Sequence, residues 1–454
     1  MNDSKVKVRM QAPSERVKNF NEVELGYNDE EALAEANRCL QCKIPKCVQG
    51  CPVNIMIPNF IKAIKENDLK RAYEIISESS SLPAVCGRVC PQEKQCESKC
   101  VKGIKGESIS IGSLERYVAD QAILNGFSAA VNKEKNGKKV AVVGSGPAGL
   151  TCAGELAKNG YDVTIYEVLH KAGGVLTYGI PEFRLPKRIV QKEVDSLKNL
   201  GVDIKTDVPI GNAISLNDLQ KEYDAVFVGT GAGLPKFMGI PGEDANEVFS
   251  ANEILTRINL MGAYKEDCKT PIKKVKTAYV IGGGNVAMDA VRSLKRLGID
   301  AHLMYRRGED ELPARKVEVQ HAKEEGIAFD LLQTPTCIYT DNNNSVVGME
   351  IIEMELSEPG PDGRRSVKEK KGSEYYVQCD MVVMALGTSP NHEALKESPI
   401  ELSEKGLIVV EGEGTKTSLD NVFAGGDAVT GAATVILAME AGKKAAKEIM
   451  EKLA

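Results

Sequence analysis

Two stretches of the chain share one plan: an apolar run, a glycine turn, an amphipathic run and a second apolar run. The first is KKVAVVGSGPAGLTCAGELAKNGYDVTIYE, Lys138–Glu167, and the second is TAYVIGGGNVAMDAVRSLKRLGIDAHLMYRR, Thr277–Arg307. A strand entering a helix through so tight a turn, followed by a second strand, is a nucleotide-binding βαβ unit. Two of them predict an α/β chain with two Rossmann-like dinucleotide-binding domains. Eight of the twelve cysteines lie ahead of both units, between Cys39 and Cys100.

In the first unit Gly144, Gly146 and Gly149 form G-x-G-x-x-G around Pro147 and Ala148. The first glycine permits the turn, the second admits a pyrophosphate and the third lets helix pack on strand. Free N–H groups at the helix start then face the phosphates. Glu167 follows Gly144 by 23 residues, where a carboxylate accepts from ribose hydroxyls. In the second unit Gly282, Gly284 and Ala287 take the glycine positions, with Gly283, Asn285 and Val286 completing the turn. There the acid becomes Arg306, with Arg307 beside it and Arg315 further on. Paired guanidiniums hold a 2′-phosphate that a carboxylate would repel, so this site is expected to prefer NADP(H). A solvated surface pair is the alternative.

Near the C-terminus, VFAGGDAVTGAATVILAMEAG reads as a strand, Gly425-Gly426-Asp427, and a helix starting near Ala432 with Thr434 in its N-terminal turn. Asp427 falls on the ribityl phosphate side of a flavin, and the helix start faces its pyrimidine edge. With G-T-G at Gly229–Gly231 and Ala385, Leu386 and Gly387, these motifs resemble the two-dinucleotide-domain flavoprotein disulfide reductases over residues 138 to 454. That resemblance implies FAD in the first unit and the nicotinamide nucleotide in the second. No cysteine pair follows residue 137, so electrons are expected to leave the flavin by another route. Cys152 reads as a buried small residue.

The cysteines supply such a route. Cys39, Cys42, Cys47 and Cys51 are spaced C-x2-C-x4-C-x3-C-P, and Cys86, Cys90, Cys96 and Cys100 follow as C-x3-C-P-x4-C-x3-C. Iron–sulfur clusters and structural zinc both fit such runs, but only clusters carry electrons. Asp29–Gln41 and Ile57–Ser77 read as helices, so the region is a mostly helical domain. The polar joint NKEKNGKK, Asn132–Lys139, marks its end. The expected divisions are 1–137, 138–252 for the first part of the flavin domain, 253–384 for the NADP(H) domain, and 385–454 for the second part of the flavin domain.

With the cysteine cassette, GSGPAGL, YGIPEFRLP, GGGNVAMD and GGD resemble the glutamate synthase small subunit family across essentially the whole chain. That family includes the large subunit of electron-bifurcating NADH-dependent ferredoxin:NADP+ oxidoreductase and the N-terminal part of dihydropyrimidine dehydrogenase. The resemblance implies FAD, NADP(H) and two [4Fe–4S] clusters. Cys39, Cys42, Cys47 and Cys100 would hold one cluster. Cys51, Cys90 and Cys96 would hold the other, with Glu115 or Cys86 as its last ligand. It also places Gly174, Val175 and Arg184 near the flavin.

Net charge −6 gives no broad basic field for nucleic acid, and no apolar run is long enough to span a membrane. The N-terminus lacks the apolar stretch of a secretory signal, so a reducing cytoplasm is expected. His170, His302, His321 and His392 match no triad or metal spacing. No amidotransferase, glutamate-forming barrel or pyrimidine-binding segment follows residue 454, so a partner is expected. It would be a glutamate synthase large subunit or a small FAD/[2Fe–2S] flavoprotein, with ferredoxin a further candidate. A non-catalytic zinc- and nucleotide-binding scaffold is the reading from another class.

Overall fold

Both apolar runs that open the repeated units become central strands of parallel sheets. The structure is a computed structural model and describes residues 4–129, 134–360 and 365–454. The first sheet has the order Val422–Ala424, Ala225–Val228, Lys139–Val143, Asp162–Tyr166, Asp203–Lys205, every neighbouring pair parallel. The second runs Ala328–Leu331, Asp300–Tyr305, Thr277–Ile281, Met381–Met384, Val248–Ser250, again parallel throughout. The AVFV and MVVM strands are buried along their whole length, as strands covered on both faces must be.

The second sheet is an insertion in the first. The chain crosses out at Leu234–Pro235 and back at Thr388–Ser389, and these two short strands pair antiparallel. Val248–Ser250 is an edge strand of the second sheet, so that unit begins ahead of the expected boundary after residue 252. The three-residue strand is too short to show a period in sequence. An antiparallel group, Gln333–Thr340, Val346–Pro359, Arg365–Glu369 and Tyr375–Gln378, was not separated by the sequence reading. It packs Ile338, Met349 and Ile351 against Tyr279 and Met304 of the second unit.

The N-terminal domain is helical, but its helices are shorter than expected. The expected Asp29–Gln41 helix is Asp29–Asn37, started by a capping box between Asn28 and Glu31, and it stops before Cys39. Gln41 has φ of 52°, which a helix cannot include. The expected Ile57–Ser77 helix is two, Ile57–Lys65 and Leu69–Ser77. Asn67 between them has φ of 56°, and the Asp68 carboxylate accepts from Arg71 N to cap the second. The joint's first two residues, Asn132 and Lys133, lie outside the described residues.

One apolar core serves both this domain and the flavin unit. Phe60, Ile76, Leu82 and Leu114 belong to it together with Leu150, Cys152, Leu156 and Met439. Within it the helices Pro147–Lys158 and Val435–Leu453 touch backbone to backbone. A Cβ on Gly442 would lie 2.2 Å from the Ala148 carbonyl oxygen, so only glycine allows this approach.

The N-terminal arm also reaches the second unit, through buried ions. Arg16, 1% exposed, donates to Glu324 at 2.7 Å and Glu325 at 2.9 Å. Glu325 also accepts from Arg292 and Arg296, and Arg292 pairs with Glu318. From the flavin unit, Arg184 reaches Glu318 at 3.0 Å and Asp289 at 2.6 Å. Phe183 lies under Arg296, 3.9 Å from ring centroid to guanidinium. Burial opposes ionisation of Glu318, but Arg184 and Arg292 outweigh it and hold its carboxyl down to about 2. The Arg296 and Arg292 guanidiniums likewise hold Glu325 well below its ordinary value, against burial.

Glu325→Ala leaves three buried guanidiniums short of their counter-ion, and removing one partner of a buried pair costs about 3–5 kcal/mol. Urea unfolding is expected to show a loss of that order; a change under about 1 kcal/mol would contradict it. Both carboxyls have depressed pKa values, so their contribution is full above the ordinary carboxyl range near 4.5. Stability should therefore fall as pH drops from about 4.5 towards 2.

Candidate functional site

The first glycine turn is built as tightly as its sequence implies. A Cβ on Gly149 would lie 1.9 Å from the Gly144 carbonyl oxygen, so helix and strand meet there backbone to backbone. Nothing lies within 4 Å of where a Gly146 Cβ would point, which leaves that side open to a ligand. Gly174 sits against Gly146, Val175 follows at the start of a short helix, and Gly426 lies against Ala148. Asp427 accepts from Ala433 N at 3.2 Å, and Thr434 caps the C-terminal helix through Leu437 N. The fold thus sets Gly174 and Gly426 against the Gly144–Gly149 turn, with Val175 and Asp427 next to them in sequence and Thr434 beginning the C-terminal helix. Glu167, 4% exposed, accepts from Ser145 N at 3.0 Å, from the Ser145 hydroxyl, and from Leu169 N at 2.8 Å. Ser145, inside the G-S-G, orients this acid, a role for which its place in the turn is the sequence signal.

The second turn repeats the geometry. A Cβ on Gly282 would meet the Ala385 carbonyl oxygen at 2.4 Å, so Ala385 lies against this turn, with Leu386 and Gly387 following into the return crossover. The Gly284 side faces open space, as the Gly146 side does. Gly283, Asn285 and Val286 line the start of helix Asn285–Arg296, and Val286 is 43% exposed. Arg306 is exposed just beyond strand Asp300–Tyr305, and the neighbouring Arg307 has a buried Nε without a hydrogen-bond partner. A phosphate would satisfy that donor. Two candidate residues are engaged elsewhere. Arg184 is held by Asp289 and Glu318, and the Arg315 guanidinium pairs with Glu93 and Gln92 of the N-terminal domain.

The cysteines fall into two groups. Cys39, Cys42, Cys47 and Cys100 line one cavity walled by Pro45, Ile57, Ile61 and Ile111. Burial raises the Cys39 thiol and pushes Cys47 up to about 11. Cys51, Cys86, Cys90 and Cys96 form a second, more deeply buried group, and the Glu115 carboxylate acts on all four thiols. Glu115 is 6% exposed, and burial, with Glu193 behind it, pushes its carboxyl up to about 8. Its buried Oε1 has no hydrogen-bond partner. Cys86 is already engaged: its Sγ lies 3.4 Å from Met439 Sδ and 3.9 Å from Ser80 Oγ. All twelve cysteines are free of disulfides. An iron–sulfur core, if bound, would supply the positive charge that removes thiol protons, and the thiols of Cys39, Cys42, Cys47 and Cys100 around one cavity are the donor set such a core takes.

The second group touches the flavin unit directly. Met439 and Lys443 lie on the helix that Thr434 begins, and Lys443 Nζ donates to the Val53 and Ser79 carbonyls. That contact had no sequence signal, because Lys443 and Val53 are brought together only by the shared core.

A Cys-rich helical domain on two nested dinucleotide units defines the class: an iron–sulfur flavoprotein oxidoreductase. Residues 138–442 match the pyridine nucleotide-disulphide oxidoreductase family, and residues 16–127 match dihydropyrimidine dehydrogenase domain II, 4Fe-4S cluster. The chain is 37% identical over 441 residues to the glutamate synthase [NADPH] small chain of Escherichia coli, covering 95% of this chain and 93% of that one. It is 38% identical to the NADP(+)-dependent formate dehydrogenase subunit beta of Moorella thermoacetica, covering 89% of this chain and 59% of that one. Among solved structures, Mycobacterium tuberculosis FprA in complex with NADPH matches with a TM-score of 0.58 at 19% identity, covering 70% of this chain and 84% of that one. The chain belongs to the glutamate synthase small chain family, and its domain match selects iron–sulfur over zinc. Among the described residues no helix is long and apolar enough to cross a membrane.

The orphaned carboxylate generates a prediction. Glu115→Ala should lower the iron content of anaerobically purified protein and alter one cluster's paramagnetic resonance signal, whereas Cys86→Ser should do neither. Unchanged iron and signals in Glu115→Ala would return Cys86 to the ligand set.

Proposed function

We propose that the chain is the electron-entry subunit of an NADPH-dependent glutamate synthase, moving electrons between NADP(H), FAD and two [4Fe–4S] clusters. The observation that carries this reading is the nearly end-to-end match to a glutamate synthase [NADPH] small chain. The two separate cysteine groups support the count of two clusters. Cys39, Cys42, Cys47 and Cys100 hold one, and Cys51, Cys90, Cys96 and Glu115 the other.

A bound flavin supplies the exchange between two-electron and one-electron chemistry, which no side chain here provides. The chain's own residues bind and orient. The N-terminus of helix Pro147–Lys158 receives the flavin nucleotide's phosphates, and Glu167, oriented by Ser145, accepts from ribose hydroxyls. Arg306 and Arg307 hold the 2′-phosphate, the second satisfying its buried Nε. Thr434 caps the helix whose positive end would stabilise negative charge on a flavin's pyrimidine edge. Met439 and Lys443 then tie that helix to the loops of the second cysteine group, which makes it the group nearer the flavin.

The first group faces outward and is the exit. Leu40, in its cavity wall, is 60% exposed, and Ile44 and Ile104, in the segments that carry its cysteines, are 74% and 75% exposed. The stretches 39–47 and 99–105 carry Lys43, Lys46, Lys99, Lys102 and Lys105 and no acid, in a chain of net charge −6. An apolar patch ringed by lysines suits a partner with an acidic rim.

Arg306→Glu with Arg307→Ala should move preference from NADPH towards NADH, read as the rate of reduction of bound flavin by each donor. An unchanged ratio would sink the assignment of the second unit.

Co-purification from the source cells without oxygen tests the partner. A glutaminase-bearing chain is expected, released by Lys43→Glu with Lys105→Glu. A small flavoprotein in its place would favour instead the bifurcating ferredoxin:NADP+ oxidoreductase.

A further inference from the structure

The engagement of Arg315 away from the nucleotide turn has its own logic. Its backbone belongs to that turn: Arg315 N donates to Asn285 Oδ1 at 2.9 Å, and Ala314 N donates to the Gly283 carbonyl. Its side chain belongs to the other domain. Nε donates to Glu93 Oε1 at 3.1 Å, while Nη2 donates to Glu93 Oε2 at 3.0 Å and Gln92 Oε1 at 3.1 Å. Gln92, 7% exposed, passes the contact on, its Nε2 donating to the Cys86 carbonyl at 3.2 Å. It also fills the notch at the start of helix Ile111–Asn125, where a Cβ on Gly112 would lie 2.3 Å from Gln92 Nε2. That helix carries Glu115, and Gln92 and Glu93 lie between Cys90 and Cys96. One forked side chain therefore joins the turn that takes the nucleotide to the loop and helix that frame the second cysteine group.

We propose that Arg315 is a positioning residue that couples the two sites, so that nucleotide occupancy and the redox state of the second cluster influence each other. The proposal rests on the reading above, in which the second unit takes NADP(H) and Cys51, Cys90, Cys96 and Glu115 hold a cluster. A bidentate guanidinium–carboxylate pair fixes orientation as well as distance. The Arg315 side chain is only 13% exposed, so the bridge is partly shielded from water. A ligand that settles Asn285 and Gly283 also settles the Arg315 backbone, and through the fork the loop between Cys90 and Cys96. By linkage, the change in affinity on reduction equals the change in cluster reduction equilibrium on binding.

The test uses the full chain with its clusters and flavin, and 2′-phospho-ADP-ribose as probe, since without a nicotinamide ring it accepts no hydride. Its dissociation constant is measured by calorimetry at two poised potentials that leave the flavin in one state and the second cluster oxidised or reduced, and that cluster is titrated by paramagnetic resonance with and without it. In the wild type the two dissociation constants should differ by about fivefold or more. In Arg315→Met the difference should fall below about twofold, with iron and flavin content retained. Glu93→Ala cuts the same bridge from the more exposed end and should give the same loss; combining both should add nothing further. Arg315→Lys, which keeps the charge and loses the fork, should fall between. The same ratio in wild type, Arg315→Met and Glu93→Ala would overturn the coupling, as would a wild type with equal constants in both states. A wild type that holds no iron or does not bind the probe would instead defeat the underlying reading, and the coupling with it.

Discussion

The second nucleotide unit is held to the flavin unit and to the N-terminal arm by buried ions around Glu318 and Glu325. Asp289, Arg292 and Arg296 lie on the helix that opens the second glycine turn, and Arg184 comes from the flavin unit. Besides these pairs the two units meet at the crossovers Leu234–Pro235 and Thr388–Ser389 and where Asn259 donates to the Tyr178 and Gly179 carbonyls. Charges so deeply buried contribute through geometry more than through net attraction, since desolvation offsets much of their Coulomb energy. They are intolerant of misalignment, and that intolerance fixes how the second turn faces the first.

A different physics joins the cysteine domain to the flavin unit. There the union is apolar, one core running from Phe60 and Leu114 through Leu150 to Met439. Such a core has no internal seam along which the domain could slide. Lys443 adds direction by holding the Val53 and Ser79 carbonyls, so the second cysteine group is fixed against the helix that Thr434 begins. The first group keeps one wall open to solvent, and the domain therefore has an inner and an outer pole.

Much of this was legible in the sequence because glycine turns and cysteine spacings constrain the backbone locally. Gly149 must be glycine for a reason visible in a few residues, and the grouping of Cys39, Cys42, Cys47 and Cys100 followed from motif resemblance. What escaped was set by distant packing. Glu115 is named beside Cys86 only through the family resemblance, and it is the fold that sets its buried carboxyl against Cys51, Cys86, Cys90 and Cys96. Arg184 and Arg315 lie in stretches that look nucleotide-related, yet their guanidiniums meet partners from other domains, which local pattern cannot reveal. The break at Asn67 was readable in principle, since Asn-Asp inside an amphipathic run is a turn followed by a cap.

The contact between Arg16 and Glu325 spans 309 residues of sequence. During synthesis the arm that carries Arg16 emerges early, and its acidic seat is completed only after most of the chain has followed. Until then its guanidinium stays in water and the helices behind it have only each other and the growing flavin unit to pack against. The arm is thus seated in two places: residues 5–10 on early partners at Glu24–Gly26, Glu35 and Glu97, and Arg16 on a seat that only the later chain completes.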